Sequence, residues 1–388
     1  AAQAAPLIPA APAQPAAPAD AGPPPTAAAR SLVPIAALSP PTAPALLPLP
    51  NMRLPPGFKA EIWASGIADA RSLRLGDKGT VFVGTALSPG AVYAVVDKGD
   101  HREIHTVVSG LDVPNGIEFL GGALYVATSE AVLRYDSIES RLDDPPPPVV
   151  LGGLPPADAH RARYLRFGPD GKLYISIGAP CNVCEPGAEY AKIIRMNRDG
   201  SGVETVARGV RNSMGMDFDP ITGDLWFTDN GRDWLSENLP NDTLSHVARR
   251  GQDFGFPYCD QGDLPDPIYG WGRDCSQFAQ PAQLLGPHAA PLGLRFYNGA
   301  MFPARYKGAM FIARHGPWNR TRKFGADIVA VWPDAAGGVA KMEPFMSGWV
   351  ENNQYLGRPV DLLVLGDGSL LVSDDYNGAI YRISYAGA

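Results

Sequence analysis

No stretch of about 18 consecutive apolar residues occurs in this chain, so no membrane-spanning helix is expected. Basic charge is not in excess either: 33 Lys and Arg stand against 40 Asp and Glu, a formal net charge of −7. A nucleic-acid surface would need a basic face, which argues against that partner class. Cysteine is scarce, with four in 388 residues. Cys181 and Cys184 form CNVC, but a zinc ribbon needs a second close pair, and Cys259 and Cys275 lie sixteen apart. A haem attachment site needs His after the second cysteine, where Glu185 stands. The simplest reading is two local disulfides, Cys181–Cys184 and Cys259–Cys275, in an exported, oxidising setting. A thioredoxin-like role for CNVC would need a βαβ context that is missing. The chain starts AAQAAPL, with neither an initiator Met nor a charged segment leading into an apolar one. The expectation is a signal peptide already removed, or else an arbitrary boundary.

What is present falls into two regions. Residues 1–50 hold 14 Pro and 18 Ala. Such a segment cannot form a core of its own, and it is expected as a disordered, partly polyproline linker or tether through about residue 45. Ordered structure should begin near LPPGFKAEIWASG (54–66), and residues 51–388 form the second region. There one pattern recurs six times, as TVFVGT (80–85), ALYVAT (123–128), KLYISIG (172–178), DLWFTDNG (224–231), AMFIARHG (309–316) and SLLVSDDYNG (369–378). Most copies are followed by another strand, such as AVLRY (131–135) or AIYRIS (379–384). No single unit can bury its own apolar face, whereas radial stacking buries all six, so the fold class is all-β, a six-bladed β-propeller.

In a propeller the residues just before each innermost strand line the mouth of the central channel. Here they are Arg71, Asn115, His160, Arg163, Arg211, Asn212, His288 and Arg358, with Arg314 and His315 at the end of a blade 5 strand. Guanidinium groups converging from several blades repel one another, and an anionic ligand with several carboxylates resolves this. The plainer alternative pairs each arginine with a nearby carboxylate such as Asp217, Asp361 or Glu118. His160 sits in ADAHRARY, too polar for a core, and suits a general base that nearby cationic charge keeps unprotonated. The loop DNGRDWLSENLPNDTL (229–244) is rich in hard oxygen donors of the calcium-binding type, but it lacks EF-hand spacing and by its own pattern reads as a solvated loop.

HRARYLRFGPDGKLYISIG, RGVRNSMGMDFDPITGDLWFTDNGRDW and GRPVDLLVLGDGSLLVSDDYNGAIYRI resemble the glucose/sorbosone dehydrogenase family, over about residues 52–385. The blade 5 insertion and RHGPWNR place it nearer the sorbosone and pyranose dehydrogenase branches than soluble glucose dehydrogenase. The resemblance implies pyrroloquinoline quinone (PQQ), a planar tricarboxylate, and calcium as cofactors. It implies His160 as the base that takes the hydroxyl proton, with Arg211 and calcium polarising the quinone that receives the hydride. Arg71, Arg358 and Arg314 would hold carboxylates, with Asn115, Arg163, Asn212 and His315 as further contacts. Main-chain carbonyls of Gly231 and Arg232 would ligate the calcium. The substrate would be a sugar or sugar-derived aldehyde, and the electrons would pass to a separate cytochrome or quinone. A periplasmic or secreted location is implied, with the N-terminal segment as a tether.

Four family positions differ. The second arginine of blade 6 is Val360, the blade 2 glutamine is Pro114, and the acid that orients the histidine is Ala179, with Asp158 or Glu185 as substitutes. The blade 5 lysine is also missing, Arg314 and His315 being nearest. Two other readings stay open: a calcium-dependent lactonase, and a propeller that binds without catalysis.

Overall fold

Short runs of β-branched and aromatic residues between Gly- and Asp-rich turns fold into strands, and a computed structural model describes them over residues 27–387. Expectations resting on residues 1–26 lie outside the described part. Six antiparallel sheets of four strands each form the blades, with Gln252–Asp253 added in parallel at the edge of blade 3. The innermost strands are Leu73–Leu75, Gly116–Leu120, Leu165–Phe167, Gly215–Phe218, Pro291–Phe296 and Pro359–Val364. Each touches the next, and the sixth touches the first, which closes the ring. Phe58–Ser65 pairs antiparallel with Ala379–Tyr385, so the last blade combines both ends of the propeller.

The second strands, such as Ala123–Ala127 and Leu370–Asp374, are buried throughout. Adjacent blades cover both of their faces, which removes the in-out alternation of a half-exposed strand. In blade 4 the segment 229–244 is not wholly a loop: Asn241–Val247 is the third strand, pairing with Leu225–Asp229. Its polar start, NDT, hides it from an apolar pattern.

The channel is filled in layers. Below the mouth, Met214, Leu292 and Val360 pack with Ala162 into an apolar collar drawn from four blades. Val360, standing where the family has an arginine, therefore belongs to a floor rather than to a clamp. Deeper still, each innermost strand contributes one charged residue, and the signs alternate around the ring: Arg74, Glu118, Arg166, Asp217, Arg295 and Asp361. All six neighbouring pairs lie between 2.8 Å (Arg166–Asp217) and 3.7 Å (Arg295–Asp217 and Arg295–Asp361). Tyr164 donates to Asp361 at 3.1 Å and lies under Arg74. Glu118, Asp217 and Asp361 are thus committed to this ring and neutralise none of the arginines of the mouth.

Residues 27–50 are placed against the propeller, contrary to the expected disorder through residue 45. Their N–H groups borrow acceptors from blade 6: Leu38 donates to the Tyr376 carbonyl (2.9 Å) and Thr42 to that of Asn377 (3.0 Å). Leu47 is buried in the cluster that holds Trp349 and Tyr355. A segment too poor in large apolar groups to form a core can still complete another. Both expected disulfides, Cys181–Cys184 and Cys259–Cys275, are formed.

Candidate active site in the propeller mouth

A hollow of about 270 Å³, open to solvent, occupies the mouth. His160, Arg211, Asn212, Gly231, His315 and Arg358 line it, together with His288, Asn230, Asp233, Asp242, Trp318 and Asn319.

His160 is held by its backbone and by one hydrogen bond. Its φ is +50°, in the sparsely populated left-handed region that the surrounding contacts must hold in place. Gly178 makes room for it, since a Cβ there would lie 2.6 Å from the His160 Cβ. Nδ1 lies 2.7 Å from the Ala179 carbonyl, which can only accept, so Nδ1 carries the proton and Nε2 keeps its lone pair. The orienting acid that the sequence lacks is thus replaced by a main-chain oxygen. Neither proposed substitute serves. Glu185 accepts from Tyr258 (3.3 Å), and Asp158 lines a separate surface hollow with Arg161. Burial, and then the Arg211 charge, push the imidazole down to about 3.

Arg211 and Arg358 occupy equivalent places in blades 4 and 6. An aspartate ending the second strand accepts the backbone N–H of each: Asp229 for Arg211 (3.1 Å) and Asp374 for Arg358 (3.0 Å). Asp229 also takes the N–H of Asn212 (2.7 Å). Arg211 is gripped by Asn182, through its carbonyl (2.8 Å) and its Oδ1 (3.0 Å), inside the disulfide-closed CNVC loop. Asp233 approaches it only to 3.6 Å. Arg358 donates to the carbonyls of His315 (3.2 Å) and Gly316 (2.5 Å), and its guanidinium forms no ion pair among the described residues. It is buried and faces the cavity, and burial holds it below the usual arginine range. Asp375 and Asp374 act on it only at longer range, so a buried guanidinium at the cavity wall remains open to a direct anionic partner.

Four of the expected cofactor contacts are placed differently. Arg314 turns away from the mouth and pairs with Asp327 through two bonds, of 2.8 and 2.6 Å. Arg163 is wholly buried against the carbonyls of Ser129 and Pro155. Desolvation pulls it down to about 10. Asn115 is spent on Arg71 Nε (2.9 Å) and the Arg163 carbonyl (2.7 Å). Arg71 in turn pairs with Asp375 at 2.5 Å. Only His315, whose Nε2 lies 2.8 Å from the same Asp375, links that pair to the cavity wall.

One wall is rich in oxygen. Gly231 lies on it, whereas Arg232 is buried away from it and pairs with Asp266 (2.6 Å). Asp242 also lines it, accepting from the N–H groups of Gly231 and Ala290, both at 2.7 Å. Burial pushes its carboxyl up to about 8. Sequence reasoning missed Asp375, Asp242, Asn182 and Trp318. For Asp375 a signal was available, because in blades 4, 5 and 6 the residue just past the second strand (Asn230, His315, Asp375) lies at the mouth or on its rim.

The sequence profile of the Glucose / Sorbosone dehydrogenase family matches residues 149–314, from blade 2 into blade 5. An uncharacterized protein of Borreliella burgdorferi is 32% identical over 351 residues, spanning 86% of this chain and 91% of that one. Among solved structures, the holo form of the pyranose dehydrogenase PQQ domain from Coprinopsis cinerea is similar, with a TM-score of 0.73 at 19% identity. The alignment covers 86% of this chain and 97% of that one. The calcium structure of a Carbohydrate-Active Enzymes Family AA12 protein from Trichoderma reesei gives 0.75, also at 19% identity and over the same shares of the two chains. Those two likenesses establish the propeller, and the profile and the Borreliella relative establish the lineage: this chain belongs to the glucose/sorbosone dehydrogenase family.

Proposed function

We propose that the protein is a PQQ- and calcium-dependent dehydrogenase that oxidises a sugar or a sugar-derived aldehyde. The observation that carries this reading is the pairing of opposites in one cavity. A neutral imidazole with a free Nε2 shares it with two buried guanidiniums, of which Arg358 has no direct ion-pair partner among the described residues.

The donor set fits a planar anion. Arg358 and Arg211 would hold carboxylates, with Asn212 and His315 beside them, and the collar of Met214, Leu292 and Val360 lies beneath. Next to Arg211, the Gly231 carbonyl and the oxygens of Asn230, Asp233 and Asp242 would suit a hard cation. PQQ, when bound, supplies a quinone that accepts two electrons, and calcium supplies a Lewis acid.

The chain's own part is positioning and proton transfer. His160 Nε2 takes the hydroxyl proton of the substrate, its ring aimed by the Ala179 carbonyl. Arg211 presents a fixed positive charge where negative charge develops, and Asn182 prevents it from swinging away. Trp318, packed edge-on against Trp234, offers an apolar face beside the cavity. We place the protein in an exported setting on the strength of its two disulfides, nearer the pyranose and sorbosone branches. Its electron acceptor would be a separate cytochrome or quinone, and its N-terminal segment a tether.

The test is reconstitution. Stoichiometric PQQ uptake in the presence of calcium, followed by dye-linked oxidation of aldoses or sorbosone, is the expected result. Failure of PQQ to bind would overturn the reading. Lactone hydrolysis insensitive to PQQ would favour the hydrolase, and PQQ binding without turnover the non-catalytic propeller.

A further inference from the structure

The wall of the mouth contains two residues that belong to no blade. Pro34 and Ile35, from the N-terminal segment, line the same cavity as His160, Arg211, Trp318 and Arg358. The run from Ser31 to Met52 carries no charged residue, although the mouth it crosses is cationic. It therefore cannot act as a counter-ion for Arg358. It can only cover.

The covering is anchored on both sides. Toward the N-terminus, Ala29 is buried within the helical turn Ala27–Arg30. Toward the C-terminus, Thr42 binds Asn377 twice, N–H to carbonyl at 3.0 Å and Oγ1 to Oδ1 at 2.7 Å. Leu38 holds Tyr376, and Leu47 is buried. Those anchors sit on the loop 375–378, whose Asp375 positions His315 and Arg71. Between the anchors, Ile35 is half-buried against the blade 5 and 6 cluster. Val33 and Leu38, which flank the contact, are left exposed. The prolines favour an extended path that needs few hydrogen bonds.

We propose that Pro34 and Ile35 are specificity-determining residues, an intramolecular lid over the mouth that limits the bulk of what reaches His160. This rests on the reading that substrate and cofactor meet in that cavity. A single sugar ring needs less clearance beneath such a lid than an oligosaccharide chain, which would have to displace it.

The experiment compares the full-length protein with the double variant Pro34→Gly, Ile35→Gly. Carbethoxylation of His160 by diethyl pyrocarbonate, followed by peptide mass in the apoprotein, reports lid opening without any cofactor, and exposed His101 serves as the internal reference. The variant should react about tenfold faster at His160, the factor that corresponds to about 1.4 kcal/mol of lost closure. In the PQQ-loaded protein, kcat/KM for a disaccharide aldose should rise relative to its monosaccharide, with an unchanged unfolding midpoint. Equal His160 reactivity in the two proteins would overturn the lid, as would an unchanged ratio of the two sugars. Failure of PQQ to bind either protein would overturn the cofactor reading, and the carbethoxylation rates would still decide the lid.

Discussion

The Nδ1 of His160 lies 2.7 Å from the main-chain carbonyl of Ala179. A carboxylate in that place would draw the imidazole toward its protonated form, whereas a carbonyl only fixes the ring and the tautomer. The histidine is thereby oriented as a base without gaining a counter-charge.

His160→Asn should abolish the base while keeping a residue that tolerates the left-handed backbone. With PQQ bound, kcat should fall by roughly 10²–10⁴-fold. Titration by fluorescence should show cofactor affinity nearly unchanged. Retained turnover would assign the proton transfer elsewhere.

The same variant gives a pH test. His160 titrates at about 3 in the folded protein against 6.5 when unfolded, so its contribution to stability is complete above 6.5. Below that, the unfolded chain binds a proton that the folded one does not, and stability falls by about 1.4 kcal/mol per pH unit. Between pH 6.5 and 5 the wild type should lose up to about 2 kcal/mol relative to H160N in denaturant unfolding. The rate profile should likewise show no acid limb near 6.5. A limb there would mean that the imidazole is not held neutral.

Gly178 should not tolerate a methyl group. Its φ is ordinary, so alanine is conformationally permitted, but the new Cβ would meet the His160 Cβ at 2.6 Å and Asn212 Oδ1 at 3.2 Å. Gly178→Ala should cost about 1–3 kcal/mol and lower kcat through displacement of His160. An unchanged kcat would show that the ring has slack.

The two candidate arginine clamps should separate cleanly. Arg358→Ala should weaken PQQ binding by tenfold or more, the loss expected of a charge-assisted contact of about 1.5–3 kcal/mol. Arg314→Ala should leave affinity within twofold, since its guanidinium is committed to Asp327. Isothermal titration of both variants decides the matter, and equal losses would contradict the placement.

The ionic ring should matter for folding rather than for binding. Asp361→Ala removes a shared partner of Arg74, Arg295 and Tyr164. Leaving those charges buried should cost about 3–5 kcal/mol, while PQQ affinity persists in the folded fraction. Unfolding midpoint and titration together test this.

Blade number, strand positions and the mouth itself were legible in the sequence, because each depends on patterns a few residues long. His160, Arg211, Asn212, His315 and Arg358 were found by their place beside a strand, Gly231 through the family resemblance, and all of them do line the cavity. Which arginines stay available for a ligand was not legible. Arg71 is neutralised by Asp375, 304 residues away, and the apolar collar takes one residue from each of four blades. Nor did composition show that residues 34 and 35 return to the mouth, since their anchors, Tyr376 and Asn377, lie at the other end of the chain. Local pattern determined the architecture through short-range burial. Charge compensation, and with it the availability of the site, was decided only when the ring closed and brought distant residues within hydrogen-bond range.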